Sequence, residues 1–432
     1  YSFDLDMLLA TLPLIAHAAH HHGTASPSSA VTFTNFFVGA YQQHANAEHY
    51  GGAPMIDVGS AAPTLRWAFA CGGNSASCAQ DAYQVQLMDV SDDANVTTVH
   101  DSGLVHGSGG APAHAIPAGV LAPATHYAWR VRVVVATGSP PSAWSSPQRF
   151  FASMGPTWRP TPIWAAPLPK GNSNGGGDKP PPSPPGTPRY AFLRASLPLG
   201  VASMPVSSAV LFISATNVPR IEHGADGAVL AAYKLWVGGE LVGVGPGRPR
   251  CGERGACNWG RREQMYDGFD VTAAAKAAAV ANGGSGSLKL FVAGFGQGLA
   301  NSSVPGGVFG APKVVAELRV RLRGGALLTL RTGDAGRWIA LDAGPVYNPG
   351  NNSGCAWYVY PQENFNASAP QTTGTPLAPT ASLRTADAAA LWAPAQAQSP
   401  FALPMTPKPT APIAILVPGA ARTPGDLVNA IV

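Results

Sequence analysis

YKLWVGGELVGVGPGRPR, residues 233–250, decides how this chain is read. Gly238 and Gly239 supply the positive φ values that a two-residue hairpin loop needs to match the twist of its strands. Before them Tyr233, Leu235 and Val237 alternate with Lys234 and Trp236, so one face is suited to burial and the other to solvent. The glycines of GVGPGR that follow read as a place where the chain turns. Their spacing is wrong for a phosphate cradle, and no helix follows them.

The same kind of run recurs along the chain. TLRWAF (64–69), AYQVQLMD (82–89), HDSGLV (100–105), THYAWRVRVVV (125–135) and QRFFAS (148–153) are β-like and separated by turn-rich segments. In the longest, Tyr127, Trp129, Val131, Val133 and Val135 point one way, and Ala128, Arg130 and Arg132 the other. After residue 189 come RYAFLRASL, SAVLFISAT, the opening hairpin, LKLFVAGFG (288–296), PKVVAELRVRL (312–322), LLTLRTG (327–333) and RWIALD (337–342). One segment is helical in composition, VTAAAKAAAVANG (271–283), with Thr272 able to cap its start and Gly283 its end. It has scarcely any large apolar face and reads as a surface connector, with Asp270 capping its first turn.

Composition agrees. Only 12% of the 432 residues are charged, with 50 Gly and 42 Pro, which favours a loop-rich all-β protein of roughly two to four domains. The net charge of +4 is spread thinly and gives no nucleic-acid footprint. The apolar run MLLATLPLIAHAAH (7–20) has signal-peptide length but no basic segment before it, and Pro13 and His17 break it too early to span a bilayer. The tract His20, His21, His22 reads as a polar tail.

Boundaries follow from these patterns. Residues 1–57 read as a signal-like, irregular lead-in, 58–154 as a small β-sandwich, 155–362 as a larger one, and 363–432 as a Pro- and Ala-rich extension toward a further module. LPKGNSNGGGDKPPPSPPGTP (168–188) cannot bury enough apolar area to order itself. It is either a linker or a long insertion within one domain, and the insertion is preferred.

Five cysteines stand at 71, 78, 251, 257 and 355, and four sequons at Asn95, Asn301, Asn351 and Asn366. Close cysteine pairs and glycosylation acceptors fit a secreted or lumenal chain in which Cys71–Cys78 and Cys251–Cys257 staple loops, leaving Cys355 over. Neither pair has zinc spacing, so no metal and no cofactor is expected.

Leu121 stands six residues before Tyr127 in LAPATHY, which resembles the tyrosine corner of fibronectin type III domains. DSGLV, THYAWRVRV and PSAWSSPQRF resemble, in order and spacing, the fibronectin-like module at the start of bacterial-type α-L-rhamnosidases. LWVGGELVGVGPGR, QMYDGFDVT (264–272) and LKLFVAGFGQG (288–298) then resemble that family's next module. The resemblance covers about residues 60–360. It implies an all-β fold of two tandem sandwiches, fibronectin type III-like and then a larger jelly-roll-like one, and it implies the 168–188 insertion. In the family a further sandwich module with rhamnose-polysaccharide contacts and then a catalytic (α/α)6 barrel follow. PIAILVPGA near the end resembles the strand leading to the next module, so this chain reads as the non-catalytic amino-terminal part of such a glycoside hydrolase.

Glycosidases need two carboxyl groups across the scissile bond, and the resemblance puts both in the barrel, so no catalytic residue is assigned. The local candidates are Glu222 and Asp226, Glu253 and Glu263, and Asp267 and Asp270. Each reads as a solvated turn residue, a surface ion-pair partner or a cap. No Gly-x-Ser-x-Gly sits between a strand and a helix, as a nucleophile elbow requires. Sugars stack on exposed aromatics and are oriented by polar side chains, which makes Trp236, Arg248, Trp259 and Tyr266 the carbohydrate-binding candidates. Expected partners are therefore a rhamnoside and, by intramolecular packing, a catalytic module. A free-standing carbohydrate-binding or adhesive protein is the alternative.

Overall fold

The computed structural model describes residues 31–38, 41–43, 55–56, 63–72, 79–107, 112–135, 138–155, 158–165, 190–200, 205–216, 231–245, 264–280, 286–296, 312–343, 393–398 and 405–407. They form two β-sandwiches and one helix.

In the first sandwich, one sheet has the order β2-β1-β4-β8, with β1 Val31–Val38, β2 Tyr41–Gln43, β4 Thr64–Cys71 and β8 Ala113–Ala115. The facing sheet runs β3-β10-β9-β5-β6, with β3 Met55–Ile56, β5 Ala82–Asp89, β6 Thr97–Asp101, β9 His126–Val134 and β10 Gln148–Ala152. Strand β7, Val105–His106, pairs with β5. The alternation read in β9 decides its faces: Tyr127, Trp129, Val131 and Val133 are buried against Phe36, Leu65, Trp67, Val85 and Phe150. The opposite face carries Arg130 and Arg132, whose guanidinium carbons lie 4.7 Å from the Trp144 ring. The tyrosine corner is present, with the Ala122 amide donating to the Tyr127 hydroxyl at 2.7 Å.

Strand β1 lies in what the sequence presented as an irregular lead-in. A bulge between Phe33 and Asn35 shifts its register on β4, so its apolar residues lose strict alternation although Phe36 and Val38 are buried.

The second sandwich is larger, and its chain crosses repeatedly between sheets. One sheet has the order β22-β11-β18-β13-β16-β23, with β19 paired to β18. Here β11 is Ile163–Trp164, β13 Val206–Thr216, β16 Gln264–Asp270, β18 Lys313–Leu322, β19 Leu327–Arg331, β22 Gln396–Ala397 and β23 Met405–Pro407. The other runs β15-β14-β17-β12-β20-β21, with β12 Tyr190–Pro198, β14 Ala231–Val237, β15 Glu240–Gly245, β17 Ser287–Gly296, β20 Trp338–Asp342 and β21 Ala393–Pro394. Because β11 precedes the Gly/Pro tract and β12 follows it, residues 168–188 join two strands of one sandwich; the tract itself lies outside the described residues. Strands β21, β22 and β23 fall in the segment read as an extension. They instead complete edges of the second sandwich, β21 on β20, β22 on β11 and β23 on β16.

The opening hairpin is β14–β15, with Val237 opposite Glu240 and Gly238 and Gly239 at φ of 64° and 103°. Gly243 and Gly245 serve a different purpose from the expected turn. They lie within β15, and a Cβ on either would meet Phe269, or Tyr233 and Asp267. Helix α1, Thr272–Val280, is more than a connector, since Ala275 is fully buried and Ala274, Ala278 and Ala279 pack on the core. Among the described residues no helix is long and apolar enough to cross a membrane.

Candidate functional site: the junction of the two sandwiches

The junction has an apolar centre built from strand ends of both units. Met55 of β3, Phe151 of β10 and the following Met154 and Trp158 meet Val210 and Phe212 of β13, Tyr266 of β16, Val315 of β18 and Met405 of β23. The rings of Trp158 and Tyr266 meet edge-on, with centroids 4.7 Å apart, and both contact Phe212 at 6.1 Å. Tyr266, expected to show its ring to a sugar, is therefore fully buried. Its hydroxyl accepts from the Met154 amide at 3.1 Å, and its ring packs between domains.

Polar contacts surround this centre. Trp158 donates its indole N–H to Glu317 Oε2 at 2.9 Å, and Glu317 Oε1 accepts from Arg319 at 2.8 Å and pairs with Arg331 at 3.3 Å. His126 of β9 lies 3.4 Å from the Asp270 carboxylate at the end of β16. The same Asp270 oxygen accepts from the Thr272 amide and so caps α1. Burial works against the Asp270 charge, but His126 and Thr272 outweigh it and hold the carboxyl down at about 2.

A second polar seam joins the β5–β6 turn to the far sandwich. Ser208 donates to the Ser91 carbonyl at 2.7 Å, Ser207 Oγ accepts from the Asp93 amide at 2.6 Å, and Asp92 Oδ2 accepts from the Gly324 amide at 2.9 Å. Asp93 pairs with Lys276 and Arg323, each at 3.3 Å, and these donors lower its pKa although partial burial pushes the other way. Between this turn and the β18–β19 turn opens a cleft of about 540 Å³, lined by residues of both sandwiches.

The remaining candidates are dispersed. Trp236 is half-buried on the outer face of β14, its centroid 5.3 Å from Phe291, against a cluster with Tyr190 and Phe192 that is separate from the apolar centre of the junction. Asn95 is exposed at the rim of the cleft. Cys71 is disulfide-bonded. Arg248, Trp259, Cys78, Cys251, Cys257, Asn301, Asn351 and Asn366 lie outside the described residues, as do Glu222, Asp226, Glu253 and Glu263. Asp267 accepts a short hydrogen bond from the buried Tyr233 hydroxyl, and burial together with the Asp267 charge keeps that phenol well above its ordinary range. Among the described residues no group of three or more His, Cys, Asp or Glu is placed to hold a metal ion. The arrangement fixes the two sandwiches against each other and leaves a polar cleft between them.

Tandem all-β sandwiches joined in this way define a modular β-sandwich protein. Residues 43–155 match the family described as Rha78A-like, N-terminal immunoglobulin domain, in agreement with the resemblance to the amino-terminal region of α-L-rhamnosidases. That match likens the first sandwich to the amino-terminal immunoglobulin module of Rha78A-like proteins. No curated protein matches the chain. Similar solved structures include the α-L-rhamnosidases of Dictyoglumus thermophilum (16% identity, 82% of this chain covered, TM-score 0.46) and Aspergillus terreus (14%, 86%, 0.46). The chain spans about a third of each enzyme's length, 34% in both cases. A lectin from Pleurotus ostreatus is also similar, at 12% identity and a TM-score of 0.22, with 73% of this chain and 88% of that one covered.

Proposed function

We propose that the two sandwiches are the non-catalytic amino-terminal part of an α-L-rhamnosidase-like glycoside hydrolase acting on terminal α-L-rhamnosides. In this reading they brace a catalytic barrel and contact carbohydrate, and the chain passes through the secretory pathway. The observation that carries the reading is the match of residues 43–155 to the rhamnosidase-type immunoglobulin domain. The buried junction supports a bracing role, because a hydrogen-bonded apolar seam resists the relative motion that is the default between domains. The disulfide at Cys71 and the exposed sequon at Asn95 support an oxidising, glycosylating route.

The test is hydrolysis of p-nitrophenyl α-L-rhamnoside by the purified 432-residue chain. No turnover is expected from the chain alone, and turnover is expected once it is joined to a rhamnosidase barrel. Turnover by the chain alone, abolished by a single carboxylate substitution, would overturn the non-catalytic assignment.

A further inference from the structure

The cleft at the junction is bordered by the polar seam but keeps groups that the seam does not use. Asp89, Ser91, Asp92 and Asn95 line it from the first sandwich, and Arg321 and Arg323 from the second. Several of these groups are already committed. Asp92 accepts from the Ala94 amide at 3.1 Å and the Gly324 amide at 2.9 Å, and Arg323 is held on Asp93. Asp89 and Arg321 keep spare capacity. Asp89 uses one oxygen for the Ser91 amide at 2.8 Å, while Arg321 makes a long 3.4 Å contact from one nitrogen to the Gly325 carbonyl. Both groups line the same cleft, one from each sandwich.

The chemistry of the lining selects its ligand. An anion would meet Asp89 and Asp92, a cation would meet Arg321 and Arg323, and an apolar molecule would strand all four. A neutral ligand with several hydroxyls satisfies both kinds of group, one hydroxyl donating to the carboxylate and another accepting from the guanidinium. The volume of about 540 Å³ falls in the usual range for small-ligand clefts.

The geometry points to a saccharide site in this cleft, which reads ligand hydroxyls through Asp89 of one sandwich and Arg321 of the other. Two sources supply that chemistry: an exogenous oligosaccharide, or a glycan linked to Asn95, whose sequon stands at the rim. Either would bridge the two sandwiches and stabilise their docked state. The site rests on the carbohydrate contact of the proposed function, yet it needs only this chain, so its failure would leave the non-catalytic assignment standing.

The experiment uses the full chain made without glycosylation, with methyl α-L-rhamnoside and chitobiose as probes, read by saturation-transfer NMR and by the unfolding temperature. Saturation transfer from at least one probe is expected, with a raised unfolding temperature. Asp89→Asn and Arg321→Gln, one on each sandwich, are each expected to weaken binding by about tenfold. Mass analysis of chain made in a secretory host then separates the sources. If Asn95 is modified and the added probe no longer binds, the cleft holds the chain's own glycan. If binding persists, the ligand is exogenous. Failure of both probes to bind the unglycosylated chain overturns the site. So does binding that neither substitution weakens.

Discussion

Trp158 and Glu317 stand 159 residues apart in sequence and share a buried hydrogen bond of 2.9 Å across the junction of the two sandwiches. Glu317 also receives Arg319 and Arg331, so its carboxylate is the hub on which an indole and two guanidinium groups converge. Glu317→Ala removes the acceptor and leaves the Trp158 N–H buried without one. Because Arg319 and Arg331 retain solvent access, the expected loss is about 2 kcal/mol rather than the full cost of an orphaned buried charge. Chemical denaturation of both proteins checks this.

The pair formed by His126 and Asp270 predicts an acid limb. Asp270 is held at about 2, below its ordinary 3.8, so the folded state binds fewer protons than the unfolded chain in that window. Its contribution is therefore complete above about pH 4 and is lost as the pH falls toward 2. Asp270→Asn should lose about 2 kcal/mol at neutral pH and show a flatter decline between pH 4 and pH 2. Equal slopes for the two proteins in that window would contradict the assignment.

Gly268 of β16 permits close approach of the units. A Cβ there would lie 2.3 Å from the Met55 sulfur and 3.1 Å from Phe151. Gly268→Val should cost about 1–3 kcal/mol by overpacking, concentrated in docking rather than in either core. The expected signature is faster proteolysis between residues 155 and 163 while far-ultraviolet circular dichroism is unchanged.

Tyr127→Phe keeps the ring among Trp129 and Phe150 but deletes the acceptor for the Ala122 amide. A loss of about 1 kcal/mol in the first sandwich is expected, measured by thermal unfolding.

The fold was legible where local chemistry and tertiary burial agree. Gly238 and Gly239 signalled their hairpin because glycine takes the positive φ that a two-residue loop needs, and Tyr127 through Val133 declared a face by strict alternation. Strand β1 was hidden by its own bulge at Phe33 and Asn35. Strands β21 and β22 have two residues each, too few to carry a period, and exist because sheet edges accept them. The site was less legible. Tyr266 looked like an exposed aromatic because nothing local reveals that Trp158 and Phe212 cover it. Asp89 and Arg321 carried no motif, since each is an ordinary strand-end residue until two distant turns are brought together.

The late strands also impose an order on synthesis. Strand β16 finds β23, and β20 finds β21, only after residues 393–407 have left the ribosome. The first sandwich closes its sheets from residues 31–152, so it can complete its core while the second still waits for its edges. Met55 and Phe151 then present a finished apolar surface, and the nascent second sandwich has a template to assemble against before its own perimeter is sealed.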